Sequence, residues 1–214
     1  MNPIDAQLAR PHLTPGLRLL VMTSVATCRG AFELLGDVLA AAVSRRLERA
    51  AFEETLLQSV LFCGFPRCVT AFETLRDRWP GQPTDAMPVP EERWREEGQR
   101  LFEAIYAHRA AEVGAMLRSL SPAFHAFVLE SAYGRVLARP GLDPRTRELI
   151  AVGALAAIDQ VPQLIAHGRG ALRLGASVEE VREALHVAVQ DAPCRETWLA
   201  RIVAERPPHE GGRS

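Results

Sequence analysis

Apolar residues recur along the chain at spacings of three and four, which is the period of an amphipathic α-helix. Ser177 and Glu180 form a capping-box pattern, and a buried face follows it. The apolar positions of that face are Val181, Ala184, Leu185 and Ala188. No stretch of useful length alternates apolar and polar residues with period two. The pattern predicts an all-α protein built from helical hairpins with short connections.

A segment near the N-terminus returns in the second half of the chain. Residues 8–15 (LARPHLTP) reappear 129 positions later as residues 137–144 (LARPGLDP). Both runs end with a capping side chain, Thr14 or Asp143, followed by a proline at the first helical position. We interpret the chain as two copies of one helical unit.

The repeat divides the chain into four parts. Residues 1–79 hold a first, degenerate repeat, and residues 91–205 hold a second, complete repeat. Residues 80–90 contain four prolines, a density that excludes a helix or a central strand and predicts a linker or strap. Residues 206–214 have no large apolar side chain to bury, so we expect a disordered tail.

Composition narrows the classes of function. The chain has 214 residues with 25 basic and 26 acidic side chains, so no net field draws it to nucleic acid or to an anionic membrane. All the basic residues are arginine, and the missing lysine excludes Schiff-base chemistry and a Walker phosphate loop. The apolar runs are shorter than the roughly 20 residues of a membrane span. Without a signal-peptide profile, we expect a cytoplasmic protein.

Three motifs of the second repeat resemble the carboxymuconolactone decarboxylase family. They are residues 139–147 (RPGLDPRTR), residues 164–172 (LIAHGRGAL) and residues 175–181 (GASVEEV). The resemblance implies a duplicated helical-hairpin unit of the alkylhydroperoxidase D-like type. It also implies cofactor-independent decarboxylation of a small anionic lactone acid, and self-association to a trimer or hexamer.

The alkylhydroperoxidase branch of the family carries a Cys-x-x-Cys pair between a glutamate and a histidine. Glu148 and His167 occupy the glutamate and histidine positions here, but Gln160 and Gln163 replace the two cysteines. Glutamine provides neither the attacking thiolate nor the resolving disulfide. A thiol peroxidase of this type is therefore the weakest alternative.

Two other sets of residues could carry chemistry. Cys63 and Cys68 are spaced unlike a redox pair, and no capping signal places either at a helix start, so we expect inert buried thiols. Glu183 and His186 form a single Glu-x-x-His pattern, whereas a carboxylate-bridged metal site needs two such patterns and further carboxylates. We expect no metal and no cofactor.

The surviving glutamate and histidine lie on the two helices of one predicted hairpin. If Asp159 caps the second helix, Glu148 stands nine residues before the turn and His167 seven or eight after it, a mismatch of roughly 2 to 3 Å in rise. The side chains can then meet, and the carboxylate would fix the tautomer of the imidazole and raise its pKa. The alternative to an acid–base pair stays open. In that alternative His167 has only a structural role, and Glu148 is solvated and pairs with Arg147 or Arg145.

We hypothesise that His167 donates a proton, that Glu148 orients it, and that Arg147 or Arg139 clamps a substrate carboxylate. The resemblance adds Tyr133 to the substrate-binding set.

The first repeat has Leu19 and Val38 at the positions of the glutamate and histidine, so no acid–base pair survives there. A non-catalytic helical protein that has kept the scaffold, and that acts by oligomerisation or interaction, is the alternative function.

Overall fold

The computed structural model describes residues 3–84, 88–190 and 192–204, and within these ranges all of the regular structure is helical. The predicted all-α class is confirmed, and the architecture agrees with the alkylhydroperoxidase D-like fold. The α-helices, in chain order, are α1 (Pro3–Leu8), α2 (Pro15–Arg29), α3 (Phe32–Ser44), α4 (Arg49–Arg78), α5 (Trp94–Tyr106), α6 (Ala110–Leu120), α7 (Pro122–Phe127), α8 (Pro144–Ala157), α9 (Val161–Arg173), α10 (Val178–Ala188) and α11 (Cys194–Val203). Two 3-10 turns (Glu91–Arg93 and Ala107–Arg109) and one π-helix (Val128–Leu137) complete the set.

Side-chain caps start three of these helices where the sequence predicts them. Thr14 and Asp143 each accept the backbone N–H three residues further on, at 3.2 and 2.9 Å. Ser177 and Glu180 form both hydrogen bonds of a capping box. These caps satisfy N–H groups that have no partner inside the helix.

Asp159 does not cap α9, and the sequence prediction was wrong at this position. Its φ is 55°, which places it in the left-handed region that aspartate tolerates better than most residues. Gln160 occupies the N-cap position, without a side-chain hydrogen bond. The hairpin between α8 and α9 therefore closes through a left-handed turn residue and not through a cap.

The two halves of the chain place the same backbone features at one constant separation. Helices α2 and α8, α3 and α9, and α4 and α10 begin 129 residues apart. Three left-handed residues recur at the same separation in the connections: His12 with Gly141, Gly30 with Asp159, and Arg46 with Gly175. Each half thus forms a comparable unit of three successive helices.

The main core lies where the two halves meet. Helices α2 and α8 pack on each other and against α4 and α10. The centre is formed by side chains with no solvent exposure, among them Leu19, Val21, Leu149, Ile150 and Val152. A Cβ on Gly153 would lie 2.5 Å from Val21 Cγ1, so this glycine permits α2 and α8 to approach closely.

A second, smaller core lies between α5 and the π-helix. Its buried members are Phe102, Ile105, Leu129, Tyr133 and Leu137. A Cβ on Gly98 would lie 1.9 Å from the carbonyl oxygen of Leu129, and a Cβ on Gly134 would lie 1.9 Å from that of Trp94. The backbones of the two helices are therefore in direct contact, which holds the neighbouring side chains in place.

Helix α4 is long and apolar enough to cross a membrane by length and composition alone. Gly64 breaks it, with φ of 75° and ψ of 174°, into residues 49–63 and residues 65–78. Each part is shorter than the about 20 residues of a span.

The predicted linker is tied to the start of α4. Arg49 donates to the carbonyl oxygens of Trp79 and Gln82, at 3.1 and 2.8 Å. The backbone N–H of Thr84 donates to the Glu53 carboxylate at 2.9 Å. Residues 85–87 of the linker and the predicted tail, 206–214, lie outside the described residues. The described part of this segment is held as a strap.

Candidate active site

The predicted acid–base pair meets inside the hairpin of α8 and α9. Nδ1 of His167 lies 3.1 and 3.0 Å from the two carboxylate oxygens of Glu148. Only 1% of the Glu148 side chain and 10% of the His167 side chain are exposed. The alternative of a solvated Glu148 paired with an arginine is wrong, because this carboxylate is buried and bonded to the imidazole.

Two glycines of α9 permit close packing around the pair, Gly170 against Glu148 itself and Gly168 against α11. A Cβ on Gly170 would lie 2.5 Å from Oε2 of Glu148 and 2.8 Å from Cγ2 of Ile105. A Cβ on Gly168 would lie 2.5 Å from Cδ1 of Ile202. The glycines that follow His167 in the sequence therefore allow α9 to lie against its neighbours while the carboxylate stays beside the ring.

Opposing effects set the charge of His167. Burial lowers its pKa, whereas the charge of Glu148 and the hydrogen bond that the imidazole donates to Glu148 raise it, and the net result is a raised pKa. Since Nδ1 faces the carboxylate, Nε2 is the nitrogen that can face a reactant. The arrangement is suited to a protonated imidazole that gives up its proton from Nε2.

Aromatic side chains surround the pair. The Tyr133 hydroxyl donates to the Tyr106 hydroxyl at 3.2 Å. Burial raises the pKa of both tyrosines, and the negative charge of Glu148 adds to the effect, so both remain neutral donors. The Phe62 ring meets the His167 ring edge-on, with centroids 6.4 Å apart. Tyr133 thus lies close enough to Glu148 for the carboxylate charge to raise the pKa of its hydroxyl.

Arg139 and Arg147 lie elsewhere and are bound to a carboxylate of the protein itself. Arg139 donates to Glu54 at 2.8 to 3.1 Å, and Nη2 of Arg147 donates to Glu54 at 2.8 Å. Arg147 also donates to the side chain of Gln58 at 3.2 Å. These contacts give both guanidiniums a structural role in place of the predicted substrate clamp.

Glu54 lies in the first half of the chain and its two arginines in the second. A second cluster has the reverse arrangement, with a second-half glutamate and two first-half arginines. Arg10 binds Glu183 at 2.6 and 2.8 Å, and Arg18 binds it at 2.9 Å. Glu54 and Glu183 are 129 residues apart, and each takes its two arginines from the other half. The sequence repeat aligned these glutamates but gave no signal for the exchange, because pairing across halves depends on how they pack.

Both residues of the Glu-x-x-His pattern of α10, Glu183 and His186, contact arginines of the protein. Glu183 is committed to the two arginines, and Nη1 of Arg195 lies 2.7 Å from Nδ1 of His186. Burial and nearby arginines lower the pKa of His186. Within the described ranges, no group of three or more His, Cys, Asp or Glu side chains has a metal-binding arrangement.

A surface cleft of about 360 Å³ lies along α9, and Tyr106 is among its lining residues. Neither Glu148 nor His167 lines it, and Tyr106 contacts Tyr133 through the hydrogen bond described above. Four arginines line the cleft, namely Arg109, Arg169, Arg173 and Arg201, and its lining includes no acidic residue. Sequence reasoning missed this cleft, although the spacing of four between Arg169 and Arg173 on one helix was a signal for a basic face.

Three of the four arginines of the cleft are held by contacts with neighbouring residues. Arg173 donates to the carbonyl oxygen of Ile105 at 2.6 Å, and Arg169 donates to that of Arg201 at 2.8 Å. Arg109 pairs with Glu112 at 3.1 Å. Gln163, which stands where the redox branch has a cysteine, also lines the cleft.

Comparison with known proteins agrees with the sequence resemblance. Residues 122–205 match the model of the carboxymuconolactone decarboxylase family, and this segment contains Tyr133, Glu148 and His167. The chain is also 29% identical over 147 residues to Peroxisomal protein 2 of Schizosaccharomyces pombe. That alignment covers 64% of this chain and 66% of the relative, slightly less than two thirds of its length. The segment 122–205, which holds the predicted acid–base pair, is therefore similar to the carboxymuconolactone decarboxylase family.

Proposed function

We propose that the protein is a cofactor-independent decarboxylase of a small anionic acid, with His167 as proton donor. The observation that carries the proposal is the buried contact of 3.0 to 3.1 Å between the His167 imidazole and the Glu148 carboxylate. A structural histidine needs no buried carboxylate of this kind, whereas a proton donor gains a fixed tautomer and a raised pKa from it.

The reaction needs a conjugated group that accepts the electron pair of the broken bond, and an acid that supplies one proton. As carbon dioxide leaves, the electron pair of the broken carbon–carbon bond moves into the conjugated system of the substrate. Nε2 of His167 then protonates the resulting carbanion, and Glu148 stabilises the imidazolium before transfer. Solvent returns a proton to His167, so the protein ends each cycle unchanged.

The arginine cleft is our candidate for binding the substrate carboxylates. Guanidinium groups bind carboxylates through paired hydrogen bonds, and Arg173 and Arg201 lie in a lining without acidic residues. Tyr106 lines the cleft and contacts Tyr133, so it connects the binding surface to the buried pair. Arg173 and Arg201 replace Arg139 and Arg147 in the proposed substrate-binding set, and Tyr133 stays in it.

The test is turnover of carboxymuconolactone and related lactone acids, followed by ultraviolet absorbance. We expect His167→Ala to lower kcat by about 100-fold or more, as loss of a general acid does. The exposed His108 provides a control, because His108→Ala should leave turnover unchanged. No turnover by the natural chain, or turnover that His167→Ala does not affect, would defeat the enzyme proposal.

A second candidate is a non-catalytic, self-associating protein on the same scaffold. It is supported by large apolar side chains that are more than half exposed: Phe65, Val69, Leu120 and Phe127. We propose that these side chains belong to contacts between copies, in a trimer or hexamer. Light scattering that gives a monomer at micromolar concentration would contradict self-association.

We further infer that the two halves arose by duplication, with residues 1–79 as the degenerate copy. The common separation of helix starts and left-handed residues supports this origin. Leu19 and Val38, at the positions that correspond to the acid–base pair, are fully buried apolar residues. The first copy would then serve as a packing partner. A cytoplasmic location stays a prediction.

A further inference from the structure

Three of the four cysteines come together at the break in α4. Cys63 is the last residue before Gly64, and its Sγ lies 3.8 Å from Sγ of Cys68. Cys28, near the end of α2, lies close enough to Cys63 for the two thiols to affect each other's pKa. Residues five apart on an unbroken α-helix point to different sides. The left-handed backbone at Gly64 is therefore what brings Cys63 and Cys68 together.

The three thiols differ in exposure and in acidity. Cys63 is half-buried, whereas Cys28 and Cys68 are buried. Hydrogen bonds from Cys28 and Cys68, and the nearby charge of Arg67, lower the pKa of Cys63, and the same hydrogen bonds raise the pKa of the two partners. The carbonyl oxygen of Ser59, 3.2 Å from Sγ of Cys63, favours the protonated thiol and limits this effect.

We propose that Cys63 and Cys68 form a reversible disulfide by exchange with small-molecule disulfides of the glutathione class. Their sulfurs already lie 3.8 Å apart, and a disulfide bond needs about 2.05 Å, so a local movement suffices. Cys63 is the more accessible cysteine of the pair, so it reacts first with the small disulfide. Cys68 is buried and then reacts with the Cys63 sulfur. The proposed exchange does not depend on the proposed decarboxylation.

The exchange balances in two steps. The Cys63 thiolate attacks one sulfur of the small disulfide, which forms a mixed disulfide on Cys63 and releases one small thiolate. Cys68 loses its proton to solvent and attacks the Cys63 sulfur, which forms the internal disulfide and releases the second small thiolate. The small disulfide is reduced to two thiols, and the two cysteines are oxidised.

The experiment equilibrates the full chain with reduced and oxidised glutathione, then labels the remaining thiols and maps them by mass spectrometry. Trypsin cleaves after Arg67, so the disulfide would join the peptides 50–67 and 68–76. We expect oxidised glutathione to remove the label from Cys63 and Cys68, while Cys28 and Cys194 keep it. Excess reduced glutathione should restore the label.

Single substitutions separate the two roles. Cys68→Ala should stop the reaction at one glutathione adduct on Cys63, and Cys63→Ala should abolish oxidation of Cys68. Cys194→Ala is the control and should leave the joined peptides unchanged. At pH 6, Cys63 should react with iodoacetamide at least about tenfold faster than a cysteine in a short unstructured peptide, since a thiol with a pKa of about 8.5 is almost fully protonated there.

Two results would overturn the proposal. One is full labelling of both Cys63 and Cys68 in a large excess of oxidised glutathione, with circular dichroism showing a folded chain. The other is a disulfide that joins the peptide 19–29, which carries Cys28, to the peptide of Cys63. Cys28→Ala distinguishes these cases further, because the proposed pair must still form in that variant.

Discussion

At the scale of single residues, Glu148 favours the protonated form of His167, on which the proposed proton transfer depends. The pKa of His167 is raised by Glu148 against the effect of burial. The protonated donor is therefore lost only as the pH rises through a value above the usual 6.5 or so. A plot of kcat/KM against pH should fall on its alkaline side above that value. Glu148→Gln should move the fall to lower pH, whereas Glu33→Gln, at a side chain that is 99% exposed, should not.

The same shift has a consequence for unfolding. A group whose folded-state pKa is raised stabilises the fold below its unfolded pKa, and this contribution disappears as the pH rises through the folded value. The free energy of unfolding should therefore decrease across that interval, and the decrease should be smaller in His167→Gln. An equal decrease in both proteins would mean that the Glu148 contact does not shift the titration.

The missing side chain of Gly170 is as important to the pair as the carboxylate itself. Gly170→Ala would place a Cβ 2.5 Å from Oε2 of Glu148, so the carboxylate must leave its position beside the ring. We expect a lower pKa for His167 in an NMR titration and a loss of about 1 to 3 kcal/mol in the free energy of unfolding. Gly114→Ala is the control, because its Cβ would meet nothing closer than His125 Nε2 at 3.7 Å. An unchanged titration in Gly170→Ala would contradict the geometry.

At the scale of elements, the contact between α5 and the π-helix is the tightest backbone approach described. Gly98→Ala would put a Cβ 1.9 Å from a carbonyl oxygen of the π-helix, where neither backbone can yield by a rotamer change. We expect a loss of about 3 kcal/mol or more in chemical denaturation. Gly114→Ala again serves as control and should be neutral or stabilising by a few tenths of a kcal/mol. Equal stability of the two variants would refute the close approach.

The sequence was most informative where one helix or one hairpin decides the structure. Capping signals located the starts of α2, α8 and α10, because a cap depends on residues within one turn. The spacing of Glu148 and His167 around one turn was enough to predict their meeting. The π-helix was missed, since over ten residues its period is hard to distinguish from that of an α-helix.

Contacts between distant segments could not be predicted in the same way. The sequence suggested Arg139 and Arg147 as substrate ligands, because arginines near an acid–base pair are common in anion sites. Their partner Glu54 is over 80 residues away, and nothing local marks it as their counter-charge. The cysteine cluster was missed for a related reason, since it depends on the left-handed Gly64 in the middle of a helical pattern.

At the scale of the whole molecule, Glu54 and Glu183 carry the charge pairing between the halves. Burial opposes the ionisation of each, but the paired arginines outweigh it, so both pKa values are lowered. Their contribution to stability is thus present above the unfolded pKa of about 4.3 and is lost as the pH falls through the lower folded value.

Removing either carboxylate should therefore have a large and pH-dependent effect. Glu54→Gln leaves Arg147 buried without its counter-charge, and we expect a loss of about 3 to 5 kcal/mol at neutral pH. The loss should shrink as the pH falls through the lowered pKa of Glu54, because the natural carboxylate then becomes protonated as well. Urea unfolding across this range checks both points, with Glu33→Gln as control because its side chain is 99% exposed. A loss that does not vary with pH would contradict the ionic origin.

Glu54 and Glu183 each pair with arginines of the other half, so each half on its own lacks the counter-charges of its buried ionised groups. An isolated piece 1–79 would bury Glu54 without arginines, and the rest of the chain would bury Arg139 and Arg147 without a carboxylate. Severing the strap would then yield two fragments that stay unfolded apart and restore one another on mixing, as a heterodimer assembled from a single gene product.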